Sequence, residues 1–299
     1  MAINNDLPIL IVAFNRVDLT RSLIESLREI APRELFYSVD GPKNDSQHNL
    51  NLNQQMRELV SIVDWPCSVQ TLFSESNLGS GLWPYKSISW ALSKSKKLLI
   101  LEDDVRITKT FYELSEYCLN EFEDDKDIFA ICASNISDTQ GSEKSLQVNS
   151  SKYFAGWGWA IWTDRWNKYK FEIDESYELS FFSLLKLNNF NFFISLYFWI
   201  NFYRIKHKYI NAWDYQINYL LFMTNMKVLK PDRNLSTNIG IGASATHTKK
   251  MPELMLNCLP FDLPHLDIKL SIDSKKEKLW RKSRLSFLFK SLWLKLHKC

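Results

Sequence analysis

The feature that most constrains the fold is a regular alternation of strand-like and helix-like segments in the first half of the chain. Short β-rich runs are followed by segments whose apolar residues recur at helical spacing. This order predicts a parallel central sheet with right-handed crossovers and flanking helices, a Rossmann-like α/β architecture. The predicted order is strand 8–16, helix 18–30, strand 35–45, helix 56–65, strand 67–75, helix 81–95, strand 97–104 and helix 111–122.

Polar or charged residues end each predicted strand. They are Asn15–Arg16, Asp40–Gly41, Glu75–Asn77 and Glu102–Asp104. In open parallel sheets, ligands bind in the crevice beyond the carboxyl ends of the strands. The sequence therefore predicts a binding site at this edge, built by a nucleotide-binding half and completed by an irregular second half.

Three adjacent carboxylates follow the apolar run Leu98–Leu101: Glu102, Asp103 and Asp104. Neighbouring negative charges at the end of a buried strand repel each other and resist desolvation. A divalent cation such as Mg²⁺ or Mn²⁺, bound through carboxylate oxygens and completed by a diphosphate, would relieve that repulsion. A solvated turn at a strand end is the alternative, and the surrounding strand-helix-strand context favours the metal site.

Three further motifs each allow two interpretations. The turn from Gly156 to Trp159 suits either the wall of a sugar site or a tight turn with core tryptophans. Asp214, which follows Trp213, suits either a helix N-cap or a general base. The segment 238–248, NIGIGASATHT, suits either a loop that folds over phosphates, with Ser244 as a contact and His247 as a metal ligand, or an ordinary surface loop.

Composition argues against several classes of protein. The five cysteines are scattered and lack CxxC spacing, which disfavours a disulfide framework or a zinc site and indicates a reducing compartment. We expect neither a signal peptide nor a transmembrane helix. Residues 275–299 carry nine Lys or Arg against one Glu, which leaves −5 for the rest of a chain of net charge +3. Nucleic acid is therefore not an expected partner.

The C-terminal segment also predicts a basic amphipathic helix, which suits an anionic membrane surface. A terminal helix packed on the domain is the weaker alternative, because acids are nearly absent there. The aromatic segment 181–203 fits either a core helix or a membrane-facing element. The apolar positions of the C-terminal helix are Leu285, Leu288, Phe289, Leu292, Trp293 and Leu296.

The ordered motifs resemble those of GT-A glycosyltransferases, most closely the branch of N-acetylglucosaminyltransferase I and related bacterial nucleotide-diphospho-sugar transferases. The resemblance covers about residues 8–248 and does not extend to the basic C-terminal segment. It implies a Rossmann-like GT-A fold with a mixed, mainly parallel central sheet flanked by helices. Its motifs are PILIVAFNR, SVDGPK, SNLGSGLWPYKSISWAL, LLILEDDV, GWGWAIW, AWDYQ and NIGIGASATH.

The resemblance implies a role for each matching position. Asn15 and Arg16 would line the nucleotide site, Asp40 would hydrogen-bond the base, and Asp103 would lie by the ribose. Asp104 would bind the metal directly.

In the second half, the resemblance implies that Trp157 and Gly158 shape the donor-sugar site. Asp214 would be the general base, flanked by Trp213, which would contact the donor. Ser244 would contact the diphosphate as its loop closes.

His247, as a second metal ligand, is the least constrained of these assignments, because only some GT-A enzymes use a histidine there. Glu102 would be a supporting residue beside the metal ligand Asp104.

The implied activity is a metal-dependent glycosyl transfer that uses Mn²⁺ or Mg²⁺. A sugar would move, with inversion, from a nucleotide-diphosphate donor such as UDP-N-acetylglucosamine to a hydroxyl of a glycan or lipid-linked acceptor. We expect this in polysaccharide or lipopolysaccharide synthesis, in the cytoplasm and peripherally on the inner face of the cell membrane. Two alternatives stay open: a metal-dependent nucleotidyltransferase, and a non-catalytic, membrane-associated binder of sugar nucleotides or glycans.

The expected organisation is one catalytic GT-A domain over 1–250, followed by an extension over 251–299. Within the domain, 1–125 would form the nucleotide-binding half and 126–250 the sugar and acceptor half.

Overall fold

A computed structural model describes residues 5–135, 146–173 and 179–240 of the chain. Ser244, His247 and the predicted C-terminal helix lie outside the described residues, so their roles stay predictions.

Strands from both halves of the chain form one central sheet. The described residues form strands β1 (Ile9–Ala13), β2 (Glu34–Val39), β3 (Ser68–Phe73), β4 (Lys97–Glu102), β5 (Val105–Ile107), β6 (Ile128–Cys132), β7 (Val148–Ser151), β8 (Trp159–Trp162), β9 (Lys227–Pro231) and β10 (Ser236–Asn238). The order in the sheet is β3-β2-β1-β4-β8-β6-β9-β7, and β5 pairs with β10 in a separate two-stranded sheet.

The sheet is mixed and mainly parallel, as predicted. Strands β1 to β4 run parallel to one another, β8 lies antiparallel between β4 and β6, and β7 is antiparallel to β9. Because β6 and β9 are also parallel, six of the eight strands point the same way. Their carboxyl ends therefore meet at one edge.

Helices cover both faces of the sheet. They are α1 (Val17–Leu27), α2 (Gln47–Glu58), α3 (Gly79–Leu92), α4 (Lys109–Glu121), α5 (Thr163–Trp166), α6 (Phe181–Leu187), α7 (Phe192–Lys206) and α8 (Asp214–Thr224). Successive side chains of a strand point to opposite faces. Ile9 and Ile11 of β1 therefore pack with α1 and α4, whereas Leu10 and Val12 pack with α3 and α8. This double cover explains why all five residues of β1 are buried.

The second half differs from the irregular structure that the sequence predicted. It supplies β6, β7, β8 and β9 to the central sheet. It also forms a smaller core in which Phe198 and Phe202 of α7 pack with Leu184 of α6 and Phe222 of α8.

The second helix lies earlier than predicted. The expectation was 56–65, whereas α2 spans Gln47–Glu58 and a 3-10 turn covers Leu59–Ile62. The segment from Gln47 is strongly polar and buries only Asn53 and Met56, so it lacks the apolar stripe that marks a helix. Its start is fixed instead by Ser46, whose side chain accepts a hydrogen bond from the backbone of Asn49.

Candidate active site

The carboxyl edge of the sheet gathers several of the predicted site residues. Arg16 follows β1, Asp40 follows β2, and Asp103 and Asp104 follow β4. Their strands are adjacent and parallel, so the topology brings these side chains to one place. Asn15, partly buried, precedes Arg16 at the same edge.

Arg16 bridges the two aspartates. Its Nη1 donates to Oδ2 of Asp104 at 2.7 Å, and its Nη2 donates to Oδ1 of Asp103. Both carboxylates are buried, whereas about a third of the Arg16 side chain is exposed. Burial raises the pKa of Asp103 to about 6; the positive charge of Arg16 opposes this rise, and repulsion from Asp104 adds to it. Arg16 thus supplies part of the compensation for the adjacent negative charges.

One carboxylate oxygen of Asp104 is available to a further ligand. Its Oδ1 is buried and has no hydrogen-bond partner, which is unusual for a carboxylate oxygen in a protein interior. Mg²⁺ and Mn²⁺ prefer oxygen ligands of this kind, so the residue fits the predicted metal. Among the described residues, no group of three or more His, Cys, Asp or Glu side chains forms a complete metal site. Other ligands would have to come from a bound substrate or from outside these residues.

Gly240 lies directly against the Arg16–Asp104 pair. A Cβ atom at this position would overlap Oδ2 of Asp104 and would come within 2.8 Å of Nη1 of Arg16. The preceding residue, Ile239, donates its backbone N–H to the carbonyl of Asp104 at 2.8 Å. The chain that leads into the predicted phosphate loop therefore leaves β10 beside the acidic residues, and a side chain at 240 would disturb them.

A second contact connects the end of β4 with the start of α8. The indole Nε1 of Trp213 donates to Oε1 of Glu102 at 3.2 Å. Burial raises the pKa of Glu102 to about 8, and repulsion from Asp104, Asp103 and Asp214 adds to the rise, which the Trp213 hydrogen bond partly offsets. Glu102 is therefore mostly protonated at neutral pH. Asp214 lies close enough to raise the pKa of Glu102 by charge repulsion.

The position of Asp214 separates the two interpretations of its role. Helix α8 begins at Asp214, and the N-cap position is occupied by Trp213. Asp214 therefore lies in the first turn and is not the N-cap that one of the two interpretations proposed. The residue is partly buried, and its charge acts on Glu102. This placement is compatible with a chemical role.

Stacked aromatic rings hold Trp213 in place. Its ring stacks on that of Trp159 at 5.6 Å, with an interplanar angle of 21°. Tyr169 donates its hydroxyl to the backbone carbonyl of Trp213 at 2.9 Å. Because Trp213 is almost entirely buried, it acts mainly as a rigid support for the start of α8.

The glycine-tryptophan turn is a tight turn at this edge. Gly158 has φ of +75°, and a Cβ atom there would come within 2.8 Å of Ile107 on β5. The carbonyl of Trp157 accepts a hydrogen bond from Ser236 at 2.7 Å, and that of Gly158 accepts one from the backbone N–H of Ala133. The turn is therefore fixed by the strands around it. Whether it also contacts a sugar stays a prediction.

Asp40 has a structural role that the sequence did not indicate. Its Oδ1 accepts from the backbone N–H groups of Gly41 and Leu78, and its Oδ2 accepts from Gly79 and from Nδ2 of Asn77. These contacts, at 2.8 to 3.1 Å, tie the end of β2 to the first turn of α3. Both carboxylate oxygens of Asp40 thus accept hydrogen bonds from the protein itself. These bonds do not support the predicted hydrogen bond between Asp40 and a nucleotide base, which stays a prediction.

Sequence analysis did not identify Arg106 as a positively charged residue of this site. Its Nη2 donates to the carbonyl of Leu19 at 2.6 Å. Burial lowers its pKa to about 10, against the attraction of Asp104 and Asp103. Position 106 lies just beyond the acidic triplet on β5, and no local pattern in the sequence distinguished it from a surface arginine.

Comparison with known proteins gives only distant similarity. No family model and no curated protein matches the chain. The structure is similar to that of mannose-1-phosphate geranyltransferase from Thermus thermophilus, with 10% identity, a TM-score of 0.38, and coverage of 77% of this chain and 75% of that one.

Two further solved structures are similar at the same distance. UDP-glucose pyrophosphorylase in complex with UDP-glucose shows 8% identity, a TM-score of 0.35, and coverage of 75% of this chain and 89% of that one. A protein from Bacillus anthracis described as a glucose-1-phosphate thymidylyltransferase shows 6% identity, a TM-score of 0.29, and coverage of 54% and 73%. Scores this low do not establish a shared function.

Proposed function

We propose that the protein is a metal-dependent transferase of nucleotide-diphospho-sugars, and that it transfers the sugar to a hydroxyl acceptor. The observation that carries the proposal is the buried, unpartnered Oδ1 of Asp104 at the carboxyl end of β4. Asp104 thereby offers an oxygen ligand two residues after Glu102, and Glu102 accepts a hydrogen bond from Trp213 at the start of α8. The reaction requires a ligand for a cation, here Asp104, and a separate carboxylate for proton transfer, here Asp214.

In this proposal, Asp104 would hold Mn²⁺ or Mg²⁺ through Oδ1, and its Oδ2 accepts a hydrogen bond from Arg16. The cation, when bound, would neutralise the charge that develops on the departing nucleoside diphosphate. Arg16, partly exposed at the same edge, is a proposed contact of the donor as well. Asn15 and Asp103 are proposed donor contacts on the basis of the resemblance, as are Trp157 and Gly158 for the sugar.

Asp214 is the proposed general base, which would accept the proton of the acceptor hydroxyl. The raised pKa of Glu102 keeps that group mostly protonated near neutral pH, so it adds little negative charge beside Asp214. Environments that give neighbouring carboxyl groups different proton affinities are typical of acid-base sites. Ser244 and His247 are proposed as a diphosphate contact and a second metal ligand, from the resemblance alone.

The proposed acceptor and location follow from the resemblance and from the basic C-terminal segment. A hydroxyl of a glycan or of a lipid-linked glycan would serve as acceptor, and the cytoplasmic face of the cell membrane would be the site of action. UDP-sugars, including UDP-N-acetylglucosamine, are the first donors to test.

A nucleotidyltransferase is the second candidate. Arg16 and Arg106 both lie near the acidic residues, and such a pair of cations suits a nucleoside triphosphate as well as a diphosphate. The names of the similar solved structures are in line with this candidate, although the likeness is too distant to decide it.

The test is to separate the products formed from a panel of substrates with Mn²⁺ or Mg²⁺. Nucleotide sugars should yield a nucleoside diphosphate through transfer or slow hydrolysis. Release of pyrophosphate from a nucleoside triphosphate and a sugar 1-phosphate would identify the nucleotidyltransferase instead. Donor binding without turnover in either assay would favour a non-catalytic binder.

Variants then assign the base. Asp214→Asn should lower kcat by about 100-fold or more, the usual contribution of a general base, with donor affinity unchanged. Asp64→Asn is the matched control, because Asp64 is exposed and precedes β3 at the opposite edge of the sheet. Equal losses of turnover and donor binding in Asp214→Asn would mean that Asp214 is structural.

A further inference from the structure

Helices α6 and α7 carry a large exposed apolar surface. The rings of Phe192 and Trp199 both contact Phe181, at centroid distances of 5.5 and 6.3 Å, so the surface is continuous. Soluble proteins rarely expose so many large apolar side chains together unless a partner covers them. The surface, called the aromatic face below, consists of Phe182, Phe190, Phe192, Phe193, Trp199, Ile200 and Tyr203.

Helix α7 is apolar on two opposite sides. One side, with Ile194, Phe198 and Phe202, packs in the small core with α6 and α8. The other side presents Trp199 and Tyr203 to solvent, and each is more than 40% exposed. A helix that only completed a core would be polar on its outer side. The outer side of α7 therefore calls for a partner of its own.

The charged residues of the segment that carries the aromatic face are all cations. Between residues 179 and 213 the sequence contains Lys186, Arg204, Lys206 and Lys208 and no acid, whereas four acids, Glu172, Asp174, Glu175 and Glu178, precede this range. Lys208 makes an ion pair with Glu172 at 3.5 Å, and both side chains are highly exposed, so the pair is weak. A partner that fits this surface is therefore apolar at its centre and anionic at its margin.

We propose that the aromatic face binds an anionic lipid bilayer, with α7 lying along the membrane surface. Aromatic side chains flanked by Lys and Arg are typical of helices at the boundary between lipid headgroups and acyl chains. Within the described residues, no helix is long and apolar enough to span a bilayer, and α7 has 15 residues. The face would therefore lie in the membrane surface, and this binding does not depend on the proposed reaction.

Two other occupants fit the charges less well. A second copy of the chain would bring the same four cations to the contact, and the sequence from 179 to 213 offers no acid to pair with them. The chain's own residues 275–299 carry nine Lys or Arg against one Glu, so they would add repulsion to the same margin. An anionic lipid surface satisfies both the apolar and the cationic parts.

Helix α7, which carries the aromatic face, contacts the start of α8. The hydroxyl groups of Tyr197 on α7 and Tyr215 in the first turn of α8 are 3.1 Å apart. Asp214 immediately precedes Tyr215, so α7 lies beside the residue that is the proposed general base. If the proposed function holds, a lipid-linked acceptor would reach Asp214 from this surface.

The test is cosedimentation of the full-length protein with vesicles of phosphatidylcholine containing phosphatidylglycerol. The wild type should bind these vesicles and bind pure phosphatidylcholine more weakly. Phe192→Ser combined with Trp199→Ser should lower the partition coefficient about tenfold or more, since two buried aromatic side chains are lost from the bilayer. Leu50→Ser is the matched control, because Leu50 is an exposed apolar residue of α2, and it should bind like the wild type.

Charge and insertion give two independent measurements. Arg204→Gln with Lys208→Gln should weaken binding about tenfold or more and reduce its salt dependence. Brominated lipids should quench the fluorescence of the wild type more than that of Trp199→Phe, which keeps the apolar surface but removes one fluorophore. This measurement does not require a substitution that lowers hydrophobicity.

Three results would overturn the proposal. The first is wild-type binding by the Phe192→Ser, Trp199→Ser variant, with binding lost only when Phe289 and Trp293 of the C-terminal segment are replaced by serine. The second is a stable dimer of the wild type that Trp199→Ser converts to a monomer. The third is equal quenching of the wild type and Trp199→Phe by brominated lipid.

Discussion

The indole of Trp213 donates a hydrogen bond to the carboxyl group of Glu102, and this contact joins two residues 111 positions apart. It connects the last residue of β4 to the residue that precedes α8. The first half of the chain and the half that supplies Asp214 are thus held together at the candidate site.

Replacing Trp213 tests this connection. Trp213→Phe keeps much of the ring stacking on Trp159 but leaves Oε1 of Glu102 without its donor, which should cost about 1–3 kcal/mol in the free energy of unfolding. Trp166→Phe is the matched control, since it loses a 2.9 Å hydrogen bond to the hydroxyl of Ser89, which is only partly buried and can bind water instead, so the loss should be about 0.5–1.5 kcal/mol. Urea unfolding measures both. If Trp213→Phe lowers the free energy of unfolding no more than Trp166→Phe does, the hydrogen bond from Trp213 to Glu102 does not stabilise the fold as proposed.

Glu102 should make stability depend on pH. Its pKa is raised from 4.5 to about 8, so the folded protein holds a proton that the unfolded chain releases. This contribution is fully present below about pH 4.5 and is lost as the pH rises through 8. In EDTA, the free energy of unfolding should therefore fall as the pH rises from about 4.5 to about 8 and level off above that, and Glu102 should be the main source of the fall above about pH 6.5.

Glu102→Gln is the control for this pH dependence, because glutamine resembles the protonated acid and does not titrate. The variant should lose most of the decline above about pH 6.5, where Asp103, with a pKa of about 6, is already largely ionised. An unchanged pH profile in Glu102→Gln would exclude Glu102 as its source.

Asp104 should determine metal binding. If Mn²⁺ binds at Oδ1, it should stabilise the folded wild type by about 1.4 kcal/mol at roughly ten times its Kd. Asp104→Asn should abolish this gain, and Asp64→Asn should retain it. Thermal unfolding with and without Mn²⁺ measures the effect without any turnover. A full Mn²⁺ response in Asp104→Asn would place the cation elsewhere.

The buried cysteines should be unreactive. Burial raises the pKa of Cys118 to about 12 and that of Cys132 to about 11, so the reactive thiolate is scarce at about pH 8. Cys67 is only partly buried and should react with iodoacetamide much faster than either. Peptide mapping of the folded protein measures the three rates, and Cys67→Ser identifies its peptide. Rapid labelling of Cys132 before unfolding would contradict the buried position of β6.

Local patterns predicted the strands and helices of the first half of the chain well. Strand β1 and helix α1 were expected because a compact apolar run is followed by leucines and isoleucines at helical spacing. Strand β8 was missed, since its four residues, Trp159–Trp162, are too few for periodicity to distinguish a strand from a turn. Its position between β4 and β6 depends on partners that lie far away in the chain.

The site residues divide in the same way. The acidic triplet and its place at the carboxyl edge followed from sequence, because parallel strands bring their ends together. The bond from Trp213 to Glu102 did not follow, since it depends on how two distant segments pack. Asp40 is instructive, because its position was predicted correctly while its partners turned out to be backbone N–H groups at the start of α3.

Gly158 offers a test of the turn that precedes β8. Its φ of +75° disfavours any other residue, and a Cβ atom would meet Ile107 at 2.8 Å. Gly158→Ala should therefore destabilise the protein by about 1–3 kcal/mol. Gly156→Ala is the matched control, because its Cβ would meet only side-chain atoms of Phe154 and Trp213 at 3.3 to 3.5 Å. It should cost less than about 1 kcal/mol.

Chemical denaturation of the two variants decides the point, and donor affinity extends it to the site. Because the carbonyl of Gly158 accepts a bond from Ala133 while Trp159 supports Trp213, Gly158→Ala should also weaken donor binding more than Gly156→Ala does. Equal destabilisation of the two variants would mean that the turn tolerates side chains alike at both positions. The left-handed backbone of Gly158 would then not be what shapes this edge of the site.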